Sequence, residues 1–262
     1  MSRAAASRAG RSASAGRANT AILRAIQEYL VNSELPLTAL LFLLPMIVLY
    51  EVGTRYFASD LVHHTETRVL AFSLVRQFME LFGATGQYLP GMLVVGILLT
   101  WHIARGDPWR LHLGTTVGMG FECILLAVPL LALSNLIGQY VSLVVVPQIP
   151  RGGLFLALGA GVYEELVFRL MGFTLLNILM IDLLRIEKKV AFPLIVLSSS
   201  ILFAAYHYWS PQSAPFRWSD CIFRTASGIY FGTLFMTRGF GVTSGVHAAY
   251  DIYYFALHAA AG

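Results

Sequence analysis

The sequence predicts an all-α, polytopic membrane protein. Hydrophobic residues make up 57% of the 262 residues and charged residues only 12%, and the mean hydropathy is +0.68. Soluble domains average about 25% charged residues, so this composition indicates a helix bundle embedded in lipid. Apolar stretches of about 20 residues, the length that crosses a bilayer as a helix, recur along the chain. We count about seven such spans, with one further helix that is amphipathic or half-buried.

The amino end differs from the rest of the chain. Residues 1–19 are rich in Ala, Ser, Arg and Gly and contain no Asp or Glu. Such a segment buries too little apolar surface to fold, so we expect a disordered basic arm. Residues 20–34 place Ile22, Ile26 and Leu30 on one face and predict an interfacial amphipathic helix. We expect residues 35–262 to form a single transmembrane domain.

Charge and cysteine content limit the possible functions and location. The net charge of +4 is concentrated at the amino end, without a basic stripe elsewhere, so we predict no nucleic-acid partner. Positive charge before the first span predicts a cytoplasmic amino terminus, and we expect a bacterial inner membrane rather than an organelle membrane. Cys123 and Cys221 have no partner at metal-ligand spacing and are predicted to be buried, inert thiols.

Three ionisable side chains lie in one predicted span, which begins at Gly152. They are Glu164, Glu165 and Arg169, and each charge at the centre of a membrane helix costs about 2.5–3.5 kcal/mol. Glu165 and Arg169 share a helix face, whereas Glu164 is rotated by about 100°. The arginine can therefore neutralise one glutamate and leave the other for chemistry. The alternative is a buried ion-pair cluster that only fixes helix packing. Glycines between 152 and 161 allow a neighbouring backbone or a substrate to approach closely.

Two later predicted spans add further polar residues. One ends with Phe203 and His207 four positions apart, and the other carries His247 and Asp251 at the same spacing. Each pair lies on one face of its helix. Together with the double glutamate they supply imidazoles, carboxylates and a cation from three helices. This set of groups is typical of a hydrolytic site.

The order of these motifs resembles the CPBP family of intramembrane proteases, which includes the type II CAAX prenyl endopeptidases and bacteriocin-processing relatives. The family pattern is Glu-Glu-x-x-x-Arg, then Phe-x-x-x-His, then a Gly-rich break and His-x-x-x-Asn/Asp. Here it reads Glu164 to Arg169, Phe203 to His207 and His247 to Asp251. The resemblance covers roughly residues 152–254. The last position is usually Asn in prenyl endopeptidases, so Asp251 leaves a prenylated substrate open.

The resemblance implies an endopeptidase that acts on a membrane-associated peptide or protein. In that case Glu164 would be the general base for a water held between it and His207. His247 and Asp251 would orient the scissile carbonyl or stabilise the developing oxyanion.

The resemblance also implies that Glu165 and Arg169 form a supporting ion pair at the site. A zinc-dependent metalloprotease is the alternative, in which Glu164, His207 and His247 bind the metal and leave one position for water. Both versions have been described for the family. The sequence lacks the His-Glu-x-x-His pattern that would place two ligands on one helix face, which favours the glutamate version.

A second class of function stays open, namely a transporter or a non-proteolytic scaffold or immunity protein that uses the same buried polar residues. Glu122 and Arg224 could then join them along a path through the membrane. The absence of an internal sequence repeat counts against a transporter. Arg224 is expected to pair with Asp220, four residues earlier, whereas Glu122 has no partner evident from the sequence.

Convergence of the motifs requires an interrupted helix. In a simple alternating topology, His207 near the end of one helix and His247 near the start of another would lie at different depths. Either the helix before His207 ends inside the membrane, or the break at Gly239 and Gly241 lies below the membrane surface.

Overall fold

The computed structural model describes residues 19–57, 59–60, 65–140, 152–209 and 215–259. Regular structure in these ranges is helical, apart from a two-residue antiparallel hairpin in which β1 (Ser59–Asp60) pairs with β2 (Thr65–Glu66). The predicted all-α class is therefore confirmed. The predicted basic arm lies almost entirely outside the described residues.

The described residues form a series of helices. In chain order they are α1 (19–33), α2 (Pro36–Phe57), α3 (Leu70–Glu80), α4 (Leu89–Arg105), α5 (Leu113–Tyr140), α6 (Gly153–Glu165), α7 (Gly172–Asn177), α8 (Lys188–Tyr206) and α9 (Trp218–Ala259). Two π-helical segments, Leu166–Met171 and Ile178–Leu183, flank α7. Residues 153–183 consequently form one continuous helix.

In the described ranges, four helices are long and apolar enough to cross a membrane: α2, residues Leu113–Ile137 of α5, the continuous helix Gly153–Leu183, and α8. They indicate an integral membrane protein. The remaining predicted spans fall on α4, which is apolar but shorter, and on the two halves of α9. Seven crossings therefore stay a prediction.

Large apolar side chains cover the outside of the bundle. On α2, for example, Leu44, Val48 and Val52 repeat every four residues and are all exposed. A continuous apolar stripe of this kind is unfavourable in water but favourable against lipid chains. The outward faces of the long helices are thus suited to a bilayer.

Gly239 divides α9 into two helices. Its φ of 74° and ψ of −179° lie in a region that other residues rarely adopt. We call the parts before and after it α9a (218–238) and α9b (240–259). The break predicted around this glycine is confirmed. The two parts of α9 pack against α5, α6 and α8, and α2 packs against α4, α6 and α9.

Helices α6 and α9b are in backbone contact. A Cβ placed on Gly161 would lie 2.6 Å from the carbonyl oxygen of Ser244 and 2.7 Å from the Cβ of Ala248. No side chain fits at such distances, so the helices could not pack this closely with a larger residue. Glycines before Glu164 do allow a neighbouring backbone to approach, as the sequence predicted.

An ion pair connects α1, α5 and the end of α9a. Arg238 donates to both carboxylate oxygens of Glu122, at 2.7 and 2.8 Å, and also to the Oγ of Ser33 at 2.9 Å. The hydroxyl of Tyr29 donates to the same carboxylate, and its burial and this bond raise the pKa of the phenol. The partners of Glu122 therefore come from distant parts of the chain. This network holds Arg238, which directly precedes Gly239, in place.

We predict that Gly161→Ala destabilises the protein, because its Cβ would force α6 away from α9b. Overpacking of this kind typically costs about 1–3 kcal/mol. The measurement is the apparent Tm in detergent, with Gly96→Ala as the control because a Cβ on Gly96 meets no atom within 4 Å. Equal Tm values for the two variants would contradict the contact.

Candidate active site

The first π-helical segment begins directly after the double glutamate and carries Arg169. The guanidinium NH1 donates to the Oε1 of Glu165 at 3.1 Å, and both side chains are fully buried. Its NH2 donates to the carbonyl oxygen of Gly228 at 3.1 Å, and its Cζ lies 4.6 Å from the ring centre of Phe203. The ion pair predicted from the spacing is present, and it also connects the helix to α8 and α9a.

Glu165 also fixes the imidazole of His247. The Nδ1 of His247 lies 2.7 Å from the Oε1 of Glu165, and a carboxylate only accepts hydrogen bonds, so Nδ1 carries a proton. The ring of Phe231 stacks on the imidazole at 4.5 Å and 14°. Nε2 then faces the Oε2 of Glu164 and the Oδ2 of Asp251, each at 3.7 Å.

His207 follows the last residue of α8 and approaches Glu164 from another side. Its Nδ1 lies 2.8 Å from the carbonyl oxygen of Phe203, which can only accept, so this nitrogen is the donor. The Nε2 lies 3.8 Å from the Oε2 of Glu164. In the neutral ring this second nitrogen is a hydrogen-bond acceptor.

Tyr206 is a contact of Glu164 that the sequence analysis missed. Its hydroxyl accepts from the backbone N–H of Ala71 at 2.7 Å and donates to the Oε1 of Glu164 at 3.4 Å. The only available signal was its position beside His207 in the second motif. Through this hydroxyl, the first turn of α3 lies next to the site.

The three predicted motifs therefore meet at one carboxylate oxygen, the Oε2 of Glu164. Glu164 lies well inside the 31-residue helix Gly153–Leu183. His207 follows the last residue of α8 and lies beside Glu164, so α8 ends partway along that longer helix and not beside one of its ends. His247 lies about two turns beyond the break at Gly239. The Nε2 atoms of His207 and His247 both lie within 4 Å of the Oε2 of Glu164, so the two histidines converge at one level of the bundle.

Glu164, His207 and His247 were the predicted metal ligands. Both Nδ1 atoms contact oxygens while both Nε2 atoms face Glu164, an orientation common among zinc-binding histidines. Across the described part of the chain, however, no group of three or more His, Cys, Asp or Glu side chains has the geometry to hold a metal ion. Cys123 and Cys221 are free thiols. The donor types suit zinc, and the metalloprotease alternative stays a prediction.

The predicted pair between Arg224 and Asp220 is wrong. The guanidinium of Arg224 lies 5.0 Å from the ring centre of Tyr208 instead, and Asp220 accepts from the hydroxyl of Ser219 at 3.3 Å. Because Tyr208 directly follows His207, Arg224 lies beside the site.

Comparison with known protein families matches residues 147–253 to the family described as Type II CAAX prenyl endopeptidase Rce1-like. No curated protein and no solved structure was found to match the chain. The matched residues contain all three motifs and agree with the resemblance seen in the sequence. Residues 147–253 of this chain are therefore a domain of the Rce1-like type II CAAX prenyl endopeptidase family, a CPBP family.

Proposed function

We propose that the protein is an intramembrane endopeptidase that hydrolyses a peptide bond of a membrane-associated peptide or protein. The family of residues 147–253 supports a membrane peptidase. The observation that carries the proposal is the approach of both histidine Nε2 atoms, at 3.7 and 3.8 Å, to one oxygen of Glu164. A base, an acceptor and a donor can thus surround one reacting water and one carbonyl group.

In the proposed mechanism, Glu164 and His207 hold the water. A separation of 3.8 Å between Oε2 and Nε2 is too long for a direct hydrogen bond, but it lets one water contact both atoms. The water donates one O–H to the carboxylate and the other to the unprotonated Nε2 of His207. Its lone pair is then free to face the carbonyl carbon of the substrate.

Attack forms the new C–O bond and passes the first water proton to Glu164. The carbonyl oxygen becomes an oxyanion. When the C–N bond breaks, Glu164 returns its proton to the leaving nitrogen. The products are a carboxylic acid and an amine, and Glu164 is again a carboxylate.

His247 is the candidate donor to the oxyanion. In this role His247 is an imidazolium: Nδ1–H donates to Glu165, the ring stacks on Phe231, and Nε2–H points into the same space as the water. Asp251 lies 3.7 Å from this Nε2 and, as a carboxylate, cannot itself donate to an oxyanion. We propose that Asp251 orients His247. The ion pair of Glu165 and Arg169 fixes the position of the His247 imidazole.

We predict that Glu164→Gln abolishes proteolysis while the protein still folds, because the amide keeps the shape of the side chain and loses the base. A general base typically contributes about 10²–10⁴-fold to the rate. The measurement compares new protein amino and carboxyl termini by mass spectrometry in membranes that express wild type or variant at equal abundance.

The matched control for this experiment is Glu80→Gln, because Glu80 is exposed and pairs with Arg76, four residues earlier on the surface of α3. Cleavage products should disappear in Glu164→Gln and persist in Glu80→Gln. Identical sets of termini in wild type and Glu164→Gln, with both proteins folded, would refute the protease function.

We predict that Arg169→Lys lowers both stability and the rate of cleavage. An ammonium group cannot reach Glu165 and Gly228 in two directions as the guanidinium does, and one lost charge-assisted hydrogen bond costs about 1.5–3 kcal/mol. The measurements are the apparent Tm and the kcat of folded protein in detergent. Arg76→Lys, on the exposed face of α3, is the control. If the two variants behaved alike, the buried pair would not support the site.

We predict that cleavage persists after dialysis against a metal chelator, because the proposed steps use only Glu164, His207 and His247. The measurement is the rate of cleavage by the purified protein before and after chelation. A loss of activity that zinc restores would instead favour the metalloprotease alternative.

A further inference from the structure

One face of α9a points toward the site. Gly228 receives the hydrogen bond from Arg169, and Phe231 stacks on His247. Arg224 lies one turn before Gly228, and residues four apart occupy the same face of a helix. The side chain of Arg224 therefore leaves α9a on the side where the catalytic groups lie.

Among the described residues, no carboxylate forms an ion pair with Arg224 there. Its guanidinium lies 5.0 Å from the ring centre of Tyr208, whose neighbour is His207. The NH1 atom is buried and has no hydrogen-bond partner within the described residues. A buried donor that belongs to a charged group is costly to leave unpaired.

Other arginines withdrawn from solvent do have a carboxylate partner. These pairs are Arg68 with Glu51, Arg169 with Glu165, and Arg238 with Glu122. Within the described residues Arg224 has no such pair, and Asp220, four residues earlier, accepts a hydrogen bond from the hydroxyl of Ser219. An anion from outside the described residues would supply both the negative charge and the hydrogen-bond acceptor that Arg224 needs.

We propose that Arg224 binds a carboxylate of the peptide substrate and so positions the scissile bond at Glu164. This inference rests on the proposed protease function. A guanidinium binds a carboxylate through two parallel hydrogen bonds, and the aromatic ring beneath it fixes its plane. The carboxylate comes either from the carboxyl terminus of the substrate or from an acidic side chain near the cleaved bond. Arg224 is a specificity residue and takes no part in proton transfer.

The test uses synthetic peptides with an amino-terminal palmitoyl chain, which anchors them in detergent micelles. Each sequence is prepared with a free carboxyl terminus, with an amidated terminus, and with internal Asp and Glu replaced by Asn and Gln. Wild type, Arg224→Gln and the surface control Arg76→Gln are compared by mass spectrometry, and kcat and KM are determined separately.

We expect Arg224→Gln to raise KM about tenfold or more for peptides that carry the recognised carboxylate, with kcat nearly unchanged. For peptides without that carboxylate, wild type and variant should be equal, since the interaction is already absent. Amidation and the internal replacements then identify which carboxylate is bound. Arg224→Lys keeps the charge without the paired bonds and should give an intermediate KM, which also covers the case in which Arg224→Gln fails to fold.

The proposal is overturned if Arg224→Gln or Arg224→Lys cleaves both classes of peptide with wild-type KM values. It is also overturned if the variant loses kcat equally for all peptides, which would indicate a structural role. Failure of the proposed function is distinct, because wild type and Glu164→Gln would then both leave every peptide intact. In that case the role of Arg224 as a substrate residue is rejected together with the function.

Discussion

The structure depends on pairing one fully buried carboxylate, that of Glu165. A buried charge without partners costs several kcal/mol, so the helices around it have to supply them. Its Oε1 contacts the guanidinium of Arg169 at 3.1 Å and the Nδ1 of His247 at 2.7 Å. Arg169 in turn reaches the backbone of Gly228. The continuous helix, α9a and α9b are therefore joined by one polar network, and the direction of the His247 imidazole follows from it.

Given that network, three interruptions of helical structure bring the remaining groups to Glu164. The π-helical segment after Glu165 changes the helical repeat where Arg169 has to turn inward. The end of α8 brings His207 inside the bundle, and the break at Gly239 starts α9b close to α6. Backbone that leaves regular helical structure is tolerated in membrane proteins where it is buried in protein or lines a cavity. The candidate site is thus assembled where the helices are interrupted.

Sequence spacing predicted the contact of Glu165 with Arg169 within one helix, whereas the convergence of the three motifs from different helices was implied only by the family resemblance. Glu165 and Arg169 are four apart, so a single helix brings them together, and long apolar runs predicted the helices themselves. Glu122 and Arg238 are 116 positions apart, and no local pattern connects them. The expected Arg224 to Asp220 pair is absent although its spacing allows it, and Arg224 lies instead against the ring of Tyr208, in the turn that follows α8. The π-helical segments also have no distinct pattern of apolar residues.

The arrangement of polar groups around α9b favours a local reaction site over a conduction path. Contacts with α5, the helix of Glu122, occur at Gly245, where a Cβ would lie 2.5 Å from the Sγ of Cys123. Gly245 and His247 are two residues apart, so they point about 200° apart around α9b. Glu122 is also bonded to α1 and to Arg238, away from the groups that surround Glu164. A transported ion would need polar groups along one route, whereas here α9b separates them into two sets with different partners.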